Sequence, residues 1–289
     1  MNHRRSPSEH THHTHPDPGG LAELLDLDAT ILSGYLSELT QWVRQLGRPA
    51  RVRRILDLGA GTGTGTIALA HRFSNAHVVA LDRSEHMLHT IRSKALTSGL
   101  ADRISTIEAD ATAPWPPITP VDLIWAASSL HEMPDAKAVI ANAHASLTPG
   151  GLFVVVEMDA PPRLLPHDVG VGSPGLEERI HALLAGSFNS GNSHPAWGEP
   201  LQRAGFELLA TRTFTIDLPA GSTHAPHPST IGRYARVYLQ QVRRGLAGRL
   251  SGEDAATLDI LLADSGQHCL LERTDLRVSG SRTVWVGRR

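Results

Sequence analysis

The chain of 289 residues contains one cysteine, Cys269, so it can form neither an internal disulfide nor a cysteine-based zinc site. No apolar run approaches the roughly 20 residues that cross a bilayer. The opening Met1-Asn2-His3-Arg4-Arg5 leads into polar residues, so a secretory leader is not expected. Gly-Lys-Ser and Gly-Lys-Thr are absent, which excludes the usual phosphate-cradling loop. The formal net charge is only −2, giving no global pull towards nucleic acid or an anionic membrane. What remains is ordinary globular composition, 40% hydrophobic and 19% charged. The expectation is a cytoplasmic protein, monomer or homodimer, with no membrane partner, no nucleic-acid partner and no bound metal. Histidine is the exception to scarcity. There are 17, and five precede residue 16. Residues 1–19 hold His10, His12, His13 and His15 among Ser, Thr, Pro and Gly, without apolar periodicity. They read as a disordered, solvated arm; adventitious metal binding is the alternative.

The informative stretch is Arg54-Ile55-Leu56-Asp57-Leu58-Gly59-Ala60-Gly61-Thr62-Gly63-Thr64-Gly65. An apolar run becomes glycine at alternate positions and then Thr66-Ile67-Ala68-Leu69-Ala70, which reads as helix. Buried strand, glycine turn and helix open a doubly wound α/β sheet. In such sheets ligands sit beyond the carboxyl ends of the strands. A dinucleotide fingerprint, GxGxxG, does not fit: the sixth position is Thr64 counted from Gly59, and Thr66 counted from Gly61.

Two further strands end in acids. His77–Asp82 is the second, and Ile104–Asp110 the third. Asp57, Asp82 and Asp110 would then place three acceptors along one sheet edge. Such a rim repels a pyrophosphate and suits a cationic ligand. Val121–Ala126 is the fourth strand and Leu152–Glu157 the fifth. Helices are expected at 20–46, Gly63–Phe73, Ser84–Ser98, Pro134–Leu147, Leu176–Leu184 and Pro195–Ala204. Phe206–Leu218 and Gly280–Gly287 supply the sixth and seventh strands. Two helical stretches separate them, about Ser229–Gly248 and Gly252–Ala263. Arg233, Arg236, Arg243, Arg244 and Arg249 make this insert basic. Its apolar set, Ile231, Tyr234, Tyr238, Val242 and Leu246, marks a surface helix with a solvated arginine face rather than an RNA contact.

Acid-x-Gly-x-Gly-x-Gly, formed by Asp57, Gly59, Gly61 and Gly63, closely resembles the first motif of class I S-adenosylmethionine (SAM)-dependent methyltransferases. Ser128-Ser129-Leu130-His131-Glu132-Met133-Pro134-Asp135 after the fourth strand, and Leu147-Thr148-Pro149-Gly150-Gly151 before the fifth, resemble later motifs of the small-molecule branch. The resemblance covers about 52–157. It implies a mostly parallel seven-stranded sheet with helices on both faces, and a helical lid from the N-terminal helix and C-terminal insertions. It divides residues 20–289 into a cofactor half, 50–158, and a substrate-covering half, 159–289, with the insert at 228–265. It implies SAM as cofactor and a small-molecule acceptor attacking through O, N or C. An auxiliary protein or a non-methylating enzyme using the same pocket is the alternative. The implied cofactor contacts are Asp57, Gly59, Ala60, Gly61, Thr62 and Gly63; Asp82 for the ribose, with Arg83; Met87 beside the adenosine; Asp110-Ala111 for the adenine amino group; and Ala126 and Ser128. The alternative for Asp82 is a cap on the helix that follows.

Catalysis points to His131, just past the fourth strand, because imidazole titrates nearest neutrality. The other reading is a histidine that only lines the pocket. Glu157 closes the fifth strand and can orient a hydroxyl or take its proton. Glu132 points away or caps the next helix. His194 is a distant candidate, and Trp125 reads as core.

Overall fold

The computed structural model describes residues 18–47, 52–116, 118, 120–185, 196–219 and 227–289. Residues 1–17 of the expected arm and His194 lie outside them, whereas Pro18 and Gly19, expected in the arm, open the first helix. Seven strands form one sheet: β1 (Arg54–Leu58), β2 (His77–Asp82), β3 (Ile104–Glu108), β4 (Val121–Ala127), β5 (Leu147–Met158), β6 (Glu207–Pro219) and β7 (Arg277–Arg288). Their order is β3-β2-β1-β4-β5-β7-β6. The first five run parallel, and β7 is antiparallel to both β5 and β6. Helices α3 (Thr64–Arg72), α4 (Glu85–Thr97) and α5 (Ala136–Ser146) make the crossovers. The expected doubly wound α/β sheet is therefore the fold.

Residue alternation sets which side chain meets which layer. Leu56, Leu58, Ile124, Ala126, Phe153 and Val155 share one core with Val139 and Ile140 of α5 and Leu201 of α7 (Gly198–Arg203). Ile55, Leu123, Trp125, Val154 and Val156 share the other with Leu69 of α3 and Leu88 and Ile91 of α4. Trp125 is core, 1% exposed.

The N-terminal stretch differs from the single helix expected over 20–46. It is α1 (Pro18–Ile31) and α2 (Ser33–Leu46), broken at Leu32. The apolar period continues across the break, but the two halves meet different partners. Leu39 and Val43 of α2 join the core around α3, whereas Leu27 and Ile31 of α1 join a separate core. That second core also takes Ile180 of α6 (Leu176–Ala185), Ile231 and Leu239 of α8 (Pro228–Gly245), and Leu258 of α9 (Gly252–Leu261). It is built on a ribbon. β5 stops pairing with β7 at Met158–Arg282, but β6 and β7 continue together from Thr215–Ser281 to Pro219–Arg277. β6 matches its expected span to within a residue at each end, whereas β7 begins three residues earlier than its sequence pattern shows, where the ribbon faces the insert.

Helix α8 buries Ile231, Tyr234, Ala235, Leu239 and Val242 at helical spacing. Three of its four arginines are paired with carboxylates: Arg233 with Glu23, Arg236 with Asp264, and Arg243 with Asp259.

Candidate active site

The loop after β1 holds three consecutive alternate glycines in the left-handed region: Gly59 at φ 64°, Gly61 at 53° and Gly63 at 84°. Their neighbours are equally restrictive. A β-carbon on Gly59 would lie 2.6 Å from Ser129 Cβ, and one on Gly63 would lie 2.7 Å from Ile91 Cγ1. The N–H groups of Gly59 and Ala60 donate to the Leu81 carbonyl at 2.9 and 3.2 Å. Thus the loop is tied to β2. Asp82 completes the tie. Its Oδ2 accepts the Gly61 N–H at 2.9 Å, and its Oδ1 accepts the Ser84 N–H at 2.9 Å. Each oxygen keeps a further lone pair for a ligand. The cap of α4 itself is Ser84, whose hydroxyl accepts the Met87 N–H at 3.4 Å. Met87 is buried at the start of that helix.

Asp57 requires a correction: it is not part of the exposed rim. Alternation points it at α3, on the side of Ile55 and Trp125, and it is 2% exposed. Its Oδ2 accepts the Thr66 hydroxyl at 2.6 Å. Burial pushes its carboxyl up to about 7. The rim consists of Asp82 and Asp110. Asp110 is exposed; its Oδ1 accepts the Thr112 N–H at 2.8 Å and hydroxyl at 2.7 Å, which holds it below the usual carboxylate range. Ala111 is buried behind it, and the Arg83 charge acts on both Asp110 and Glu132.

The β4 end supplies the strain. Ala126 is buried, and Ser128 is the only non-glycine described with positive φ, at 50°. The Ser128 N–H donates to Val156 O at 2.8 Å, and the Ser129 hydroxyl donates to Leu58 O at 2.9 Å. This turn sends the chain into a single 3-10 turn, Leu130–Glu132. There His131 Nδ1 lies 2.7 Å from Glu157 Oε2, and the His131 N–H donates to Glu157 Oε1 at 3.3 Å. Glu157 is fully buried. Nε2 faces Glu132, 3.3 Å away and largely exposed. Glu132 thus pairs with the imidazole, while Asp135 caps α5 by accepting the Ala138 N–H. Hydrogen bonds to Glu132 and to Glu157 push the imidazole up to about 10.

Several contributors carried no sequence signal. Leu25 of α1 lies 3.2 Å from where a Gly61 β-carbon would sit. Lys94 of α4 donates to Asp26 of α1 at 2.5 Å and to Thr62 O at 2.9 Å. α1 therefore covers the glycine loop. Thr62 and Thr64 have buried hydroxyls with no partner among the described residues. No group of three or more potential metal ligands occurs among the described residues.

Residues 55–151 match the methyltransferase domain family. The trans-aconitate 2-methyltransferase of Variovorax paradoxus is 28% identical over 224 residues, 74% of this chain and 73% of that one. The demethylmenaquinone methyltransferase of Clavibacter sepedonicus is 30% identical over 200 residues, 63% of this chain and 80% of that one. A solved Bacillus halodurans structure carrying a methyltransferase designation superposes with a TM-score of 0.50 at 17% identity, covering 84% of this chain and 96% of its own, and shares the fold. Motifs, fold and relatives agree: the chain belongs to the class I SAM-dependent methyltransferases.

Proposed function

We propose that this enzyme transfers the methyl group of SAM to a hydroxyl-bearing small molecule, with His131 removing the hydroxyl proton. The observation that carries the reading is the His131–Glu157 pair, set beside a glycine loop whose rim is Asp82 and Asp110. The loop fits the cofactor. It offers two unpartnered threonine hydroxyls, Thr62 and Thr64, and spare acceptor capacity on both rim carboxylates. Asp82 would hold the ribose, Asp110 with Ala111 the adenine amino group, and Met87 the apolar side of the base. Gly59, Ala60, Gly61, Thr62 and Gly63 would give close backbone approach, with Ala126 and Ser128 closing the far side. Asp57 supports the loop from beneath. When bound, SAM supplies a sulfonium-activated methyl open to in-line attack. The rim carboxylates favour that positive charge.

The chain's remaining tasks are to orient the acceptor, keep water out and move one proton. With Nδ1–H donated to Glu157, Nε2 is the proton-accepting atom of the neutral ring. The buried carboxylate then stabilises the imidazolium that forms, as in other carboxylate–histidine pairs. An imidazole pushed up to about 10 carries its proton at neutral pH, so the base form grows in as pH rises towards 10, and transfer to a hydroxyl should increase over that range. The half formed by 159–289 would cover the acceptor.

The test is calorimetry with SAM and S-adenosylhomocysteine, followed by labelled-methyl transfer. The acceptor panel is trans-aconitate, a demethylated naphthoquinol and simple phenols. Micromolar binding of both nucleosides and label on a hydroxyl compound are expected. Absence of nucleoside binding, or label on trans-aconitate alone, overturns the proposal.

A further inference from the structure

Past the end of β5, on the opposite face from Glu157, lies a second polar cluster. Arg282 pairs across the ribbon with Met158, so it shares that residue's side of the sheet. Its Nη2 donates to Asp28 of α1, at 3.0 Å to Oδ1 and 2.9 Å to Oδ2. Tyr234 of α8 donates its hydroxyl to Asp28 Oδ1 at 3.2 Å. The guanidinium lies over the Tyr35 ring, 5.6 Å from its centroid. The Tyr35 hydroxyl is buried and has no hydrogen-bond partner among the described residues. Nε and Nη1 of Arg282 make no hydrogen bond to a described residue. A cavity of about 20 Å³ opens here, bounded by Asp28, Leu32, Met158, Ile216, Tyr234 and Arg282. It lies where the N-terminal helix, the ribbon and the insert meet, at the edge of the second core.

Buried polar groups demand partners, and this cluster has donors to spare. An arginine alone here would be a carboxylate receptor. Asp28 changes that: it occupies one nitrogen of the guanidinium and cancels its charge. Asp159 brings a further carboxylate nearby, accepting the Ser281 hydroxyl at 2.5 Å. Burial pushes both phenols up, so they remain neutral hydrogen-bonding groups. The cavity admits about one water-sized group.

We infer that Arg282, Asp28 and Tyr234 form an acceptor-anchoring subsite that takes one uncharged oxygen, a hydroxyl or carbonyl, and that Asp28 closes it to carboxylates. The inference rests on the methyl-transfer reading and adds the acceptor class. Rejection here is built from a repulsive group as much as from attractive ones.

The experiment is titration of trans-aconitate into the S-adenosylhomocysteine-loaded protein, comparing wild type, Asp28→Asn, Asp28→Ser and the double variant Asp28→Asn with Arg282→Gln. Wild type should show no binding. The single variants should gain millimolar or better affinity, at least tenfold above wild type, and the double variant should lose it. Two single variants guard against one failing to fold. Arg282-dependent binding of trans-aconitate to wild type overturns the inference. So does absence of gain in a folded Asp28 variant, which would make the cluster an internal brace. The nucleoside heat of each protein is read first. Failure to bind it refutes the methyl-transfer reading itself, a result separable from either outcome at the subsite.

Discussion

Replacing Glu157 by Gln tests whether this carboxylate governs the protonation of His131. The carboxamide oxygen can still accept the Nδ1–H while the charge is lost, and only the weaker 3.3 Å bond from the His131 N–H is given up. A charge-assisted hydrogen bond contributes about 1.5–3 kcal/mol. At 1.36 kcal/mol per pKa unit, the imidazole should fall by roughly one to two units from about 10. Glu132→Gln should move it less, because that carboxylate is 73% exposed and sits at 3.3 Å, where a surface pair contributes under about 1 kcal/mol. The assay is an NMR titration of the histidine ring signals between pH 6 and 11, with the His131 resonance identified by its loss in His131→Gln. The linkage sign is fixed by the same shift. His131 has a folded pKa above its unfolded value near 6.5, so the pair's contribution to stability is complete below that value. It is lost as pH rises through about 10. Wild type should therefore lose its stability advantage over Glu157→Gln across that alkaline window. An unmoved His131 titration in Glu157→Gln, or a larger movement in Glu132→Gln, refutes the reasoning.

Asp82→Ala removes both the proposed ribose acceptor and the Gly61 anchor, so SAM affinity measured by calorimetry should fall by at least about 1.5–3 kcal/mol; unchanged affinity would rule out the assignment. Gly63→Ala forces a β-carbon to 2.7 Å from Ile91 at φ 84°, and chemical denaturation should show a loss of about 2 kcal/mol or more. Asp57 is an acid raised from 3.8 to about 7, so folding favours its protonated form. Its contribution is complete below about pH 4 and declines as pH rises to about 7, by up to about 4 kcal/mol. Asp57→Asn should flatten that decline in urea unfolding at pH 5 and pH 8; an equal slope in both proteins would contradict it. His131→Ala should cut turnover by about 10²–10⁴-fold with SAM affinity nearly intact, and equal loss of both would make it a cofactor contact.

The parts legible in the sequence are those where neighbouring residues determine one another. Strand, turn and helix over 54–72 lie within one crossover, and the left-handed glycines follow from a turn too tight for a β-carbon. Alternation along β1 also carried the fate of Asp57, since its neighbours Leu56 and Leu58 face α5 and α7 and it must therefore face α3. The motif pattern placed all three acids at strand ends, but one residue of phase separates an acid on the rim from an acid under a helix. Burial then decides its chemistry, raising Asp57 while Thr112 lowers Asp110.

The parts that were not legible are those where distant segments meet on one small surface. α1 reaches the glycine loop through Leu25 and Asp26, and the ribbon through Asp28, which contacts Arg282 at a separation of 254 residues. No local periodicity encodes that meeting. The helical repeat of 20–46 says only that an apolar stripe exists, and it runs unbroken across Leu32 because both halves need one. What divides the stripe is the partner each half finds: the sheet face for α2, and α8 with the ribbon for α1. The same division explains why the two polar clusters sit on opposite faces of β5. Glu157 and Met158 are neighbours in sequence, yet the pleat turns one towards His131 and the other towards the side occupied by Arg282. A one-residue step along one strand end thus joins a proton-accepting pair to a hydrogen-bonding pocket. Two such groups on either side of a strand terminus can bracket an acceptor whose reacting hydroxyl and anchoring oxygen lie at its two ends.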